Sequence, residues 1–354
     1  MTTLFDPVRI GAWDLPNRFV MAPLTRARAG VERVPNALMA EYYSQRASAG
    51  LIISEATSVT PMGVGYADTP GIWSEEQVAG WKKITQAIHH AGGRMLLQLW
   101  HVGRMSDPMF LNGARPVAPS AIPPAGHVSL VRPEKPFVTP RALELAEIPG
   151  VIAAYRKGAE NAQRAGFDGV EIHGANGYLL DQFLQDKTNH RTDEYGGSVA
   201  NRSRLMLEVT DAVVSVWGAD RVGMHLAPRG DAHDMGDSDP LGTFSYVARE
   251  LGRRRIAFLC AREALGPGRI GPQLKVAFGG SYIANERFTQ ETANQVLAAG
   301  EADAVAFGVP FLANPDLPER FRHNAPLNEP DRATFYAPGA KGYTDYPTLA
   351  LATA

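Results

Sequence analysis

An imidazole, a carboxamide and a phenol stand within six residues of one another at His173, Asn176 and Tyr178. The first two carry N–H donors, so together they can hold one oxygen on which negative charge builds. The phenol, with an ordinary pKa of about 10, keeps its proton at neutral pH and can deliver it nearby. The combination is an oxyanion site with an acid beside it. Taken alone, the segment also reads as a buried turn whose polar groups bond backbone carbonyls. Gln98 brings a different chemistry. Its planar amide sets a donor beside an acceptor, which matches a ligand edge that alternates the two, as a flavin or pyrimidine does, and Thr25 adds a hydroxyl. Without its neighbours Gln98 reads as a structural amide.

Other chemistries lack their residues. No paired carboxylates suit glycoside hydrolysis. His89 and His90 are adjacent inside a helical pattern, and there is no His-x-His or His-Glu-x-x-His, so no metal site is expected. The oxygens of Asp231–Asp239 depart from a calcium loop because Gly242 stands where the bidentate acid belongs, and a solvated loop is expected there. The one cysteine, Cys260, excludes an internal disulfide and every zinc site built on paired thiolates, which points to a reducing compartment. With 35 Lys+Arg against 37 Asp+Glu the net charge is −2, and there is no basic block to meet nucleic acid or an anionic membrane. The start of the chain carries an acid and a proline where an export signal needs an apolar run, and no stretch approaches a membrane span. A cytoplasmic small-molecule protein, monomer or homodimer, is expected.

The elements that must position these groups recur along the 354 residues. Short apolar runs occur at Phe19–Ala22, Leu51–Ser54, Met95–Leu99, Gly169–His173, Val222–Leu226, Ile256–Leu259, Ser281–Ala284 and Ala304–Phe307. Such continuous runs suit parallel strands covered on both faces. Between them lie helical patterns at Asn36–Ala49, Glu75–Ala91, Gly150–Ala165, Asn201–Trp217, Thr243–Arg253 and Phe288–Ala299. Ala-Gly pairs at Ala49-Gly50, Ala91-Gly92, Ala165-Gly166 and Ala299-Gly300 are expected to close helices. The alternation predicts an α/β fold, a (β/α)8 TIM barrel formed by one domain over 1–354. One connection is exceptional: residues 106–149, after the third strand, hold nine of the 26 prolines, and a stiff lid or wall at the barrel mouth is expected there.

In such a barrel the residues following each strand form the site. Here they read Pro23-Leu24-Thr25-Arg26, Glu55-Ala56-Thr57, Gln98-Leu99-Trp100-His101, Glu171 through Tyr178, His225 through Arg229, Ala284 through Phe288, and Phe307 through Pro310. Further motifs along the chain are Asn17-Arg18 ahead of Pro23, Val102-Gly103-Arg104, Gly169-Val170 ahead of Glu171, Thr192 through Ser198 with Asn201-Arg202, Asn314-Pro315-Asp316-Leu317, and Gly342 through Pro347. With these motifs the chain resembles the old yellow enzyme family of FMN-dependent ene-reductases over nearly its whole length. It looks closest to the bacterial xenobiotic reductases, relatives of the N-ethylmaleimide and nitrate-ester reductases.

The resemblance implies non-covalent FMN at the barrel mouth, NADPH or NADH as reductant, and a ping-pong hydride transfer to an alkene conjugated to a carbonyl or nitro group, with nitroaromatics or nitrate esters as further substrates. It assigns the substrate oxygen to His173 and Asn176 and the proton to Tyr178. Pro23, Leu24 and Ala56 would pack against the flavin, Thr25 would meet the carbonyl near N5, and Gln98 the pyrimidine edge. Trp100 and Tyr336 would line the substrate face. Two positions depart from the family's usual arginine or lysine. His225 stands at the N1–O2 edge, where Arg229 is the alternative source of charge. Val309 follows Gly308 at the phosphate, where Arg287, beside Asn285, is expected to supply the missing cation. A flavin-binding sensor without turnover and a metal-dependent hydrolase on the same barrel are the alternative readings.

Overall fold

The computed structural model describes residues 1–349; the last five residues of the expected 1–354 unit lie outside them. Eight parallel strands close into a ring: β1 (Phe19–Met21), β2 (Leu51–Ile53), β3 (Met95–Trp100), β4 (Gly169–His173), β5 (Val222–Leu226), β6 (Phe258–Arg262), β7 (Ser281–Asn285) and β8 (Ala304–Phe307). Each pairs with its sequence neighbours, and β8 pairs with β1 through Val305–Phe19, Ala306–Val20 and Phe307–Met21. The expected (β/α)8 TIM barrel is therefore present.

Side chains alternate across each strand and divide the core. Leu97, Leu99, Val170, Ile172, Met224 and Leu259 face outward into one large cluster with the surrounding helices. Val20, Leu51, Ile53, Leu96, Phe258, Cys260, Ile283 and Ala304 fill the lower barrel, where Ile10, Trp13 and Leu15 join them. Those three come from a hairpin, Val8–Ile10 with Trp13–Leu15, that precedes the barrel and that the hydrophobic pattern does not reveal. It seals the amino-terminal end, with Trp13 Nε1 donating to Asp168 O at 3.3 Å. Gly223 is required opposite Phe258, because a Cβ there would lie 2.1 Å from that ring.

Helix boundaries follow their caps. Ser74 and Gln77 form a capping box ahead of Glu75–His90, and Asn36 accepts from the Met39 N–H at the start of Ala37–Ser44. Gly92, Gly166 and Gly300 take positive φ after their helices, but Gly50 does not. The helix expected to reach Ala49 stops at Ser44, and Gly50 instead lets the backbone pass Asn17, whose carbonyl oxygen would be 2.4 Å from a Cβ. The sixth strand is displaced toward its carboxyl end, Phe258–Arg262 rather than Ile256–Leu259, and a helix at Gly271–Phe278 follows it. In the expected solvated loop, Asp237 is instead buried against Arg202 at 3.1 Å.

The proline-rich connection contains a short pairing of Val117–Ala118 with Arg141–Ala142. Its Phe137 packs on the cluster formed by Ala56, Trp100, Val102 and Met105, together with Tyr66 and Tyr178. At the far end of the chain, Arg26 donates to Phe335 O and Gly342 O, and Arg28 donates to Thr334 O and Gly339 O. Tyr343 stacks on Tyr42 at 4.0 Å. The terminal segment is thereby strapped across the mouth. Among the described residues, no helix is long and apolar enough to cross a membrane.

Candidate active site

The alternation that buries apolar side chains in the lower barrel turns polar ones inward one step higher. From Leu96, period two leads to Gln98 and Trp100; on β4 it leads to Glu171 and His173; on β5 to His225; and from Phe258 and Cys260 to Arg262. All of these polar groups but Glu171, which lies beneath Gln98, line a cavity of about 630 Å³ at the carboxyl ends of the strands. Pro23, Leu24, Thr25, Ala56, Gln98, Trp100, His173, Asn176, Tyr178, His225, Asn285, Arg287, Gly308, Val309 and Tyr336 all line it, so the residues read from the sequence come together in one place.

The wall beyond β4 is a turn. Asn176 and Gly177 both take positive φ, 59° and 76°, a conformation asparagine and glycine accept more readily than other residues. Asp181 accepts from the Gly177 N–H at 2.9 Å, and Gln182 Nε2 donates to Gly177 O at 2.7 Å, which fixes the turn from below. Tyr178 packs edge to face on both Trp100 and His173, its ring centred 5.0 Å from each of theirs. Burial, with the nearby His225 and Arg262 charges, holds His173 well below the usual histidine range, so its ring is neutral. Burial first, then Tyr66, pushes the Tyr178 hydroxyl well above the usual phenol range, so it keeps its proton. Tyr66 and Arg262 are site residues that the sequence reading misses. Arg262 becomes visible once the period-two run of β6 is continued past Leu259; Tyr66 lies in a loop with no periodic signal.

The floor carries unsatisfied polar atoms. Gln98 Nε2 donates to Glu171 Oε2 at 2.7 Å, leaving its second N–H and its carbonyl oxygen for a ligand. His173 Nδ1, both ring nitrogens of His225, Glu171 Oε1 and Trp100 Nε1 are buried without a hydrogen-bond partner among the described residues. Glu171, His225 and Cys260 also approach one another within 4.8 Å. Burial, then the Glu171 charge, pushes the Cys260 thiol well up.

Charges at the far wall are disposed unequally. Arg229, the alternative to His225, is bound to Glu263 at 2.8 Å and to Pro267 O and Ala264 O, and it does not line the cavity. Arg287 lines it with a side chain 82% exposed, approaching Glu286 only to 4.0 Å.

A deep barrel-mouth cavity with a hydrogen-bonding floor, an aromatic wall and a neutral donor pair beside a protonated phenol defines a barrel oxidoreductase that binds a flat cofactor. The chain belongs to the NADH:flavin oxidoreductase / NADH oxidase family, that of the old yellow enzymes, whose model matches residues 3–328. It is 45% identical over 364 residues to 12-oxophytodienoate reductase 1 of Oryza sativa, covering 98% of this chain and 93% of that one. It is 44% identical to a probable flavin mononucleotide-dependent alkene reductase of Leishmania infantum, covering 98% and 97%. Among solved structures, the old yellow enzyme homologue of Zymomonas mobilis superimposes with a TM-score of 0.96 at 48% identity, covering 98% and 100%. Morphinone reductase in complex with tetrahydroNAD gives 0.95 at 49%, covering 99% and 98%. The chain is an FMN-dependent oxidoreductase that takes electrons from a reduced nicotinamide and reduces activated alkenes. The residues present fit FMN: the cavity has room for a flat tricyclic ring, and its orphaned polar atoms call for a polar ligand.

Proposed function

We propose that His173, Asn176 and Tyr178 are the catalytic residues of this reductase, and that its substrates are enones, maleimides and nitroalkenes, with nitroaromatics or nitrate esters as further acceptors. Bound FMN supplies two-electron transfer from NADPH or NADH to the acceptor. The protein's part is to orient and polarise. His173 and Asn176 donate to the electron-withdrawing oxygen, where negative charge grows as the double bond is reduced. Tyr178 delivers its proton to the α-carbon. The observation that carries this reading is the set of three on one wall of the cavity: a neutral imidazole, a half-buried carboxamide and a phenol that keeps its proton.

For the cofactor we assign Pro23, Leu24 and Ala56 to packing, Thr25 and Gln98 to the ring's polar edges, and His225 to the N1–O2 edge. Asn285, Arg287, Gly308 and Val309 surround the phosphate. Trp100 and Tyr336 cover the substrate face, where large rings suit a flat ligand. The 106–149 excursion serves as a wall of the mouth, a role supported by the packing of Phe137 against Tyr66 and Trp100. The chain acts as one FMN-binding domain, and a cytoplasmic location suits its single free, buried cysteine. The test is the visible spectrum and FMN content of the purified protein, with NADPH and NADH oxidation followed in the presence of an enone and a maleimide. A colourless protein that takes up no FMN, or a yellow one that reduces neither acceptor, overturns the reading.

A further inference from the structure

Arg262, at the end of β6, reaches across β5 to the turn after β4. Its Nη1 donates to Asn176 Oδ1 at 2.9 Å, and its Nη2 donates to Glu286 Oε1 at 3.0 Å. A guanidinium has only donors, so the end of the Asn176 amide that meets it is the carbonyl oxygen. Nδ2 makes no hydrogen bond to the described residues, and Asn176 lines the cavity. A carboxamide has two orientations of nearly the same shape. One turns two donors toward a substrate oxygen; the other turns an acceptor toward it and repels it. The guanidinium admits only the first.

The backing of Arg262 is itself unusual. Glu286 and Arg287 take φ of 100° and 59°, a region that residues with a Cβ occupy at a cost and keep only where the surroundings impose it. The consequence here is that the Glu286 carboxylate is brought back over the mouth to Arg262, with its side chain only 24% exposed.

We propose that Arg262 is a positioning residue of the reductase, fixing the Asn176 carboxamide with Nδ2 toward the substrate's electron-withdrawing oxygen, and that Glu286 holds Arg262 in place for it. The proposal rests on the assignment of Asn176 made above. It also defines a specificity: the site selects acceptor oxygens, those of ketones, imides and nitro groups, over groups that present an N–H or O–H at the same point.

The test is a double-substitution cycle on the FMN-loaded enzyme, read by calorimetric binding of a substituted phenolate, whose oxygen carries the charge the donors are built to receive. Arg262→Met keeps the bulk and removes the donors, and about tenfold weaker binding is expected. Asn176→Ala is expected to weaken binding at least as much, and Arg262→Met to add nothing in the Asn176→Ala background, since Arg262 acts through that amide. Glu286→Gln leaves the barrel side chains in place and is expected to weaken binding about threefold, which keeps the proposal testable if Arg262→Met folds poorly. Tight binding in both Arg262→Met and Glu286→Gln, with weak binding in Asn176→Ala, overturns the proposal and leaves the Asn176 assignment standing. The same is true if Arg262→Met costs as much with Asn176 absent as with it present. Unaltered binding in Asn176→Ala overturns the assignment of Asn176 and the proposal with it.

Discussion

The hydroxyls of Tyr66 and Tyr178 lie 2.8 Å apart, so one of these phenols donates to the other. In the proposed acid role, the Tyr178 proton is therefore part of a two-membered chain rather than an isolated group. Tyr178→Phe is expected to slow alkene reduction by about 10²-fold, while flavin reduction by the nicotinamide stays nearly intact. Reduction of nitro groups, which places no proton on carbon, should fall less. Tyr66→Phe keeps the acid and should cost less than Tyr178→Phe. Stopped-flow measurement of the two half-reactions separates these outcomes, and equal losses in both would remove Tyr178 from the acid role.

Replacing His173 or Asn176 by alanine removes a donor to charge that grows in the transition state. A loss of about 10²-fold or more is expected in the oxidative half-reaction with enones. Because burial keeps the His173 ring neutral, its donor role requires no imidazolium, and the rate should show no histidine-like decline between about pH 6 and 8. A pH–rate profile of the oxidative half-reaction checks this.

At the phosphate end, Arg287 is exposed and has only a 4.0 Å approach to Glu286 to give up on binding an anion. Arg287→Ala is expected to weaken FMN binding by about one to two orders of magnitude, and Arg287→Ala/Val309→Arg to restore it. Fluorescence titration of the apoprotein with FMN measures both; unchanged affinity in the single variant would remove Arg287 from the phosphate site.

Of the two residues proposed for the N1–O2 edge, His225 lines the cavity and Arg229 does not. His225→Ala is expected to lower the reduction potential of the bound flavin by removing a polar ring from the cavity floor, whereas Arg229→Ala, whose charge is spent on Glu263, should leave it unchanged. Equilibrium reductive titration compares the two.

Glu55, just beyond β2, is buried, accepts from the Arg26 N–H at 3.2 Å and is pushed up to about 7 by that burial. The folded protein thus keeps a proton that the unfolded chain releases near 4.5, so this stabilising contribution is full at low pH and is lost as pH rises through about 7. Glu55→Gln removes the titration. The stability of the parent relative to this variant should fall by up to about 3 kcal/mol between about pH 4.5 and 7 and level off above that, as read by urea unfolding at saturating FMN.

Strand identity was legible because parallel barrel strands are apolar on both faces, and helix starts were legible where Ser74 or Asn36 caps them. What escaped lacked a local signature. Trp13 lies in a three-residue strand whose meaning comes from Asp168 and Ala257, far away in sequence. Arg262 was hidden by ending β6 at Leu259, because Cys260-Ala261-Arg262 breaks the run of large apolar residues while keeping the period of two. Tyr66 reaches Tyr178, and Glu286 the cavity, through loop geometry, and neither a period nor a motif announces that.

Trp13 and Phe258 plug the lower barrel beneath the site, and the strap that carries Tyr336 lines the cavity above them. On the proposed mechanism the nicotinamide and the alkene use the same cavity and must take turns: the oxidised nicotinamide vacates the volume before the alkene fills it. Each of the two is then an obstruction to the other when it enters at the wrong moment. Raising either one far above the other should therefore slow turnover, a traffic limit set by the sharing of one cavity.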